Sequence, residues 1–402
     1  MHERHWARPR RLAAGLLLAL LPIAWAAAAP VTSPKQSNKA APETELVSAI
    51  EDLRAGNGRR ALEKLARLTQ EQPNFRLAQL LYADLLASRS GKPGIMPDAE
   101  DPALKDLYDE ARYRDSQARF TPPPGTVPGN VLKLAAEYPY LVVVDLPNAR
   151  LDLFENRAGD LKLIHSHYVG IARNGFGKKA SGDLRTPVGI YHITGWKSDD
   201  QLPELYGGGA LPLNYPNLWD RFRVKTGYGI WLHGVPRVTY VRAPRSSEGC
   251  VTMANDDLVA LKPYVLSTNA PVILSDKVDW VPKAEAARER DSFLARIEDW
   301  RRKWQAIDTE GYLGFYGEDF TTDGMNKTEF VAHKRRVNAT KHSIDVQTED
   351  MSLYRYPGEP MMLAEFTLRY RSDNFSSTAK KQQYWRQNAK GEWKIFREEN
   401  LD

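Results

Sequence analysis

Ser246–Met253 reads SSEGCVTM and carries Cys250, the single cysteine of the 402-residue chain. Upstream, residues 230–236 read IWLHGVP, where His233 closes a strand-like run and Gly234 follows it. A thiol attacks a carbonyl as thiolate, so it needs a base or a positive field to bring its pKa down from about 8.5. It also needs donors for the oxyanion that forms, and backbone N–H groups in a tight turn can supply them. Gly249 permits such a turn, and the N–H groups of Gly249 and Cys250 can point into one hole. His233 can act as base if its strand lies beside that turn. A Cys/His pair alone is a weak signal, because the chain holds eight histidines.

The neighbours of the pair narrow the reading. His233-Gly234, a short spacer, then Ser247-Glu248-Gly249-Cys250-Val251 resemble the signature of the L,D-transpeptidase (YkuD-like) family. A second family landmark, a TPxG turn entering a strand, stands as Thr186-Pro187-Val188-Gly189. The resemblance covers residues 138–278 and implies an enzyme of peptidoglycan stem peptides. By position it makes Cys250 the nucleophile and His233 its general base, with the Gly234 carbonyl orienting the imidazole. It sets Ser247 beside the thiol and has Gly249 help shape the oxyanion hole. The family's arginine after GC[IV] is Thr252 here, so Arg242 or Arg245 is expected to supply the charge. That departure points towards the YafK-like branch and the cell-shape-determining L,D-carboxypeptidases, which also carry a C-terminal NTF2-like domain.

The implied chemistry is two-step acyl transfer. Cys250 attacks the L-centre carbonyl of meso-diaminopimelate and D-Ala leaves. Water then gives trimming, a diaminopimelate amine gives a 3→3 cross-link, and a lysine gives attachment of an envelope protein, whose reversal is detachment. The acceptor side decides among these, which puts weight on the Lys197–Asn217 loop with Tyr206. Trimming or a role in cell shape is the expectation, and cross-linking or protein attachment is the alternative. A non-catalytic peptidoglycan-binding scaffold is the alternative from another class, and the intact Cys and His speak against it.

Working outward, YLVVVDL, ARLDLFEN, DLKLIHSHYVGI and GIYHITGW are period-two runs separated by turn residues. They predict an antiparallel, hairpin-rich sheet domain over 138–282. FTPPPGTVPGN lies in a stiff linker over 120–137. Leu46, Ile50, Leu53, Ala61, Leu62, Leu65 and Leu68 recur at helical spacing. The stretch from Ala55 to Leu86 resembles one tetratricopeptide-like unit, which cannot bury its own face and needs the next domain or a second copy. Residues 30–119 are thus a tether and a helical region, with little pattern after 88. From 283, AEAARERDSFLARIEDWRRKWQAIDTEGYLGFY predicts one long helix with Phe293, Ile297, Trp300, Trp304 and Ile307 on a core-facing stripe. Strand-like MMLAEFTLRYR, KKQQYWRQN and EWKIFREE follow, and 283–402 resembles an NTF2-like (SnoaL-like) cone. The fold class expected is multidomain: α-helical, then β-rich, then α+β.

Residues 1–29 have a basic flank, a short apolar run and a tail of alanines, as a cleaved signal peptide for periplasmic export requires. Removing them takes away four Arg and one Glu, so the formal charge of +5 falls to about +2. That balance does not argue for nucleic acid, and no basic strip is interleaved with aromatics. In an oxidising compartment thiols pair, so a lone thiol implies a use or deep burial. His165 and His167 share a strand face but lack a third ligand, and no metal or other cofactor is expected. Ser246 and Ser247 lack a GxSxG elbow. Lys178, Lys179 and Asp183 read as a solvated loop, and GFGKKASG lacks phosphate-loop spacing. The expected partners are stem peptides, with an envelope protein or a second copy as further candidates through the helical or NTF2-like domain.

Overall fold

The computed structural model describes residues 42–91, 102–322 and 324–401; the leader expected over 1–29 lies outside them. Helices Pro42–Arg54, Gly58–Glu71 and Arg76–Arg89 form where the apolar period predicts. Leu46, Ala49, Leu65, Leu68, Leu77 and Ala78 meet in one buried seam, which Tyr168, Tyr240, Val241 and Ala254 of the next domain complete. The helical unit therefore buries its open face on its own chain. A fourth helix, Pro102–Arg119, has no apolar stripe to announce it. Its anchor is ionic: buried Arg114 donates from Nε to Glu110 at 2.9 Å and pairs with Glu43. The Arg114 guanidinium also lies 4.3 Å from the centre of the Tyr168 ring.

The central sheet has the order Asp160–Tyr168, Arg150–Arg157, Tyr140–Asp145, Pro271–Ser275, Gly189–His192. Side chains alternate across a strand, so Val142, Val144, Leu151 and Leu153 enter one core while Leu141, Val143 and Phe154 enter another. The expectation of an antiparallel domain needs correction. Tyr140–Asp145 runs parallel to Pro271–Ser275. Parallel pairs also join Trp231–His233 to Val251–Thr252, and Ile171–Ala172 to Arg245–Ser247. Parallel neighbours need a crossover of about a dozen residues or more, and the 234–250 connection supplies one.

In the C-terminal part, helix Lys283–Gln305 buries Phe293, Ile297, Trp300 and Trp304 as expected. The helix does not run on through 307, which corrects the reading of one long element. Ile307 takes φ +57 and Asp308 caps a new helix, Thr309–Leu313, by accepting from the Gly311 N–H at 3.0 Å. Seven strands form the sheet behind, in the order 325–326, 316–322, 393–401, 376–387, 361–372, 344–355, 131–133. The last of these comes from the expected linker. Thr126–Pro128 likewise pairs with Trp280–Pro282. The proline-rich segment is thus a strap woven into both sheets rather than a spacer. Leu141, Ile190 and Ile273 share a core with Tyr354, Leu363, Tyr384 and Phe396, so the sheet domains are packed through a common apolar layer.

Candidate active site

The register of two short strands builds the site. Val251 lies opposite Leu232 and Thr252 opposite His233. Extending that register one residue back puts Cys250 beside Trp231. Partners in register share a face and alternate residues return to it, so Cys250 and His233 are diagonal neighbours on one face. The His233 Nδ1–H donates to the Gly234 carbonyl at 2.6 Å, which leaves Nε2 with the lone pair. The Cys250 thiol donates to the Gly229 carbonyl at 3.3 Å.

Burial pushes the thiol up to about 11, against the pull of the Trp231 N–H, Arg242 and Lys178. Burial holds His233 down to about 4; the Gly234 hydrogen bond opposes this and the Arg242 charge adds to it. The resting pair is therefore a neutral thiol beside a neutral imidazole. Such a pair attacks by passing the Sγ proton to Nε2 as the carbonyl arrives.

The backbone around the pair is held by few atoms. Asn255 accepts at Oδ1 from Gly208 N at 2.8 Å and Val235 N at 2.9 Å, and donates from Nδ2 to the Val235 carbonyl at 2.9 Å. A Cβ on Gly234 would collide with this Oδ1, so the close approach requires glycine. The clamp holds the loop of Tyr206 over the base, with the Tyr206 ring edge-on to His233 at 4.9 Å and 5.0 Å from Trp231. Neither Asn255 nor Trp231 was singled out by the sequence reading. The signal available for Asn255 was a lone polar residue opening the helix Asn255–Val265.

Other expected residues move to different tasks. Ser247 is buried, and its Oγ donates to the Cys250 carbonyl at 2.6 Å and accepts from the Gly249 N–H at 3.3 Å. It shapes the turn, and the Gly249 N–H is committed there rather than free for an oxyanion. Gly249 has φ +155, and a Cβ on it would stand 2.8 Å from Ile230 Cδ1. Arg242 reaches the pair, with Nη2 on the Leu205 carbonyl at 3.2 Å. Arg245 is exposed on its strand, and no hydrogen bond or ion pair of its side chain is present among the described residues. Thr252 is buried against Gly170, whose N–H and carbonyl both bond its backbone at 2.8 Å. An arginine side chain at 252 would face that wall, which accounts for the small residue.

His165 lies 5.7 Å from the Tyr264 ring, and His167 Nδ1 lies 3.3 Å from Asp257. Among the described residues, no three His, Cys, Asp or Glu groups gather as a metal site would require. Lys178 is buried rather than solvated, held by Asp183 at 2.7 Å. Three backbone N–H groups and this lysine hold the Asp183 carboxyl down at about 2 despite its partial burial.

Two family models match the chain: an L,D-transpeptidase catalytic domain (YkuD) over residues 139–274, and a Cds6 C-terminal NTF2-like domain over 292–399. Bd1075 of Bdellovibrio bacteriovorus is 30% identical, with 69% of this chain and 98% of that chain covered and a TM-score of 0.60. The chain belongs to the L,D-transpeptidase (YkuD) family. The helical cell shape determining protein Pgp2 of Campylobacter jejuni is 26% identical over 67% of this chain and 95% of its own, with a TM-score of 0.56. A search of curated proteins finds no match. The YkuD match spans the TPxG turn, His233 and Cys250 alike, so the landmarks named from sequence fall within one family domain. No helix among the described residues is long and apolar enough to cross a membrane.

Proposed function

We propose that this YkuD-family protein is an exported, periplasmic L,D-carboxypeptidase that trims stem tetrapeptides. The observation that carries this reading is the half-buried Cys250 beside a His233 whose Nδ1 is locked on the Gly234 carbonyl. As the substrate carbonyl arrives, Nε2 takes the thiol proton and a C–S bond forms at the L-centre of meso-diaminopimelate. The C–N bond to D-Ala breaks and the proton passes to the leaving amine. Water then cleaves the thioester, releasing tripeptide and restoring the thiol. The NTF2-like domain shares a core with the catalytic sheet, an arrangement that suits an enzyme acting on a polymer. The likeness to a helical cell shape determining protein supports a role in cell shape. The helices before the catalytic domain are read as a single tetratricopeptide-like unit.

The test is to incubate the protein from residue 30 onward with purified muropeptides and weigh the products. Tripeptides are expected, and Cys250→Ala should yield none. Dimers joined 3→3, or a protein conjugate, would replace hydrolysis by transfer. Conversion by Cys250→Ala would overturn the mechanism.

A further inference from the structure

Arg173 and Arg242 stand on two segments that meet at the nucleophile. Arg173 lies just beyond the strand Ile171–Ala172, its N–H on the Ser247 carbonyl at 2.9 Å and its Nε on the Ser246 carbonyl at 3.3 Å. Arg242 bonds only the Leu205 carbonyl. Neither guanidinium forms an ion pair among the described residues, whereas Arg237 beside them pairs with both Asp199 and Glu204. Burial lowers the Arg242 pKa; the thiol of Cys250 counters this and the charge of Arg173 adds to it. Two like charges thus converge on a half-buried place beside Cys250, with only the exposed Glu248 as a nearby carboxylate. Like charges held together without a counter-ion cost energy, and an anion arriving between them relieves it. Planar guanidinium groups suit a carboxylate in particular, because each offers paired N–H donors.

We infer that Arg173 and Arg242 form the receptor for the free carboxylate of the residue that leaves. This rests on the proposed peptidase reading and sharpens it. The terminal carboxylate of a stem tetrapeptide is one residue from the carbonyl under attack, about 3.5 Å of chain. Both arginines are close enough to the sulfur for that reach: Arg242 couples directly to Cys250, and Arg173 is bonded to the two serines that precede the turn. The pair therefore selects a chain end, so that the enzyme removes one terminal residue and leaves longer or capped peptides alone.

The experiment compares four proteins, wild type, Arg173→Gln, Arg242→Gln and the double variant, on three tetrapeptides. One substrate has free carboxylates, one is amidated at the D-Ala terminus, and one is amidated at the D-centre of diaminopimelate. Cys250 labelling by iodoacetamide, which is small and uncharged, checks that each variant keeps its fold and thiol. Wild type should lose about tenfold or more in kcat/KM, chiefly through KM, when the terminus is amidated. Each variant should lose a similar factor on the free acid and almost nothing further on the terminal amide. Raising salt should weaken wild type on the free acid only. The inference is overturned if the variants lose equally on acid and terminal amide, or if the discrimination follows the D-centre carboxylate. Should wild type convert none of the three, the failure lies with the peptidase reading itself.

Discussion

His233 is neutral at every pH at which a typical histidine begins to charge, and the reason is its burial on a strand face beneath Tyr206. A protonated imidazole cannot accept the thiol proton, so the acid limb of activity follows this residue. With its pKa held at about 4, kcat/KM should stay level down to about pH 5 and fall tenfold per unit only below 4. A titration of rate against pH that bends near 6.5 would show that the imidazole is more hydrated than its packing implies. Asn255 makes the second prediction at this scale. Replacing it with Ala removes three hydrogen bonds that hold Gly208 and Val235 together. The Tyr206 loop and the carbonyl that orients His233 should then drift, and a shift of about 1 Å costs on the order of a hundredfold in rate. Steady-state kinetics beside an unfolding curve separates this from a loss of fold. The nucleophile and base were legible from sequence because their chemistry admits few side chains. Asn255 and Trp231 were not, because each acts through backbone partners that only the fold brings near.

Elements were legible wherever apolar side chains mark them. Helices 42–54, 58–71 and 76–89 and the sheet strands follow the period of their buried residues. Two kinds of element escaped. Strands of two or three residues, such as Val251–Thr252, are too short to show a period, so the parallel pairing that builds the site was hidden. Helix Pro102–Arg119 escaped because its hold on the protein is Arg114, sunk between Glu110, Glu43 and two aromatic rings. This gives a prediction for the element. Arg114→Ala leaves Glu110 buried without its partner, a loss of about 3–5 kcal/mol, and urea unfolding should read it. The Tyr168 ring that packs on Arg114 donates its hydroxyl to the Arg242 carbonyl at 3.2 Å, and Phe75 stacks on Tyr240 at 4.1 Å. Activity should therefore fall in the same variant under conditions where it remains folded. Full activity there would mean that the helical region does not help position the segment carrying Arg242.

At the scale of the whole molecule, the catalytic and NTF2-like parts are joined by an apolar layer with one ionisable pair set in it. His192, on the last strand of the catalytic sheet, approaches Glu365 of the C-terminal sheet with Nε2 to Oε2 at 3.4 Å. Its Nδ1 lies 3.3 Å from the Asn269 carbonyl, so both ring nitrogens face acceptors and the protonated form is favoured. Burial works against that charge, but Glu365 and the Asn269 carbonyl outweigh it and raise the His192 pKa, with Lys380 opposing. Glu365 is correspondingly lowered despite its own burial. The signs follow from linkage. A raised histidine stabilises the folded state below its unfolded value of about 6.5 and loses that contribution as pH rises through its folded value. A lowered carboxylate contributes above its unfolded value, near 4.5, and loses it on acidification. The pair therefore supports the junction most between those two values, and His233, held neutral, adds its own loss of stability as pH falls from 6.5 towards 4. Unfolding free energy should decline as pH rises from about 6.5 towards 9, and His192→Gln should flatten that decline while leaving the acid side in place. If the wild-type curve is already flat above 6.5, His192 is not charged in the fold, and the junction rests on its apolar layer and on neutral hydrogen bonds such as Trp219 Nε1 to Glu359 at 2.8 Å.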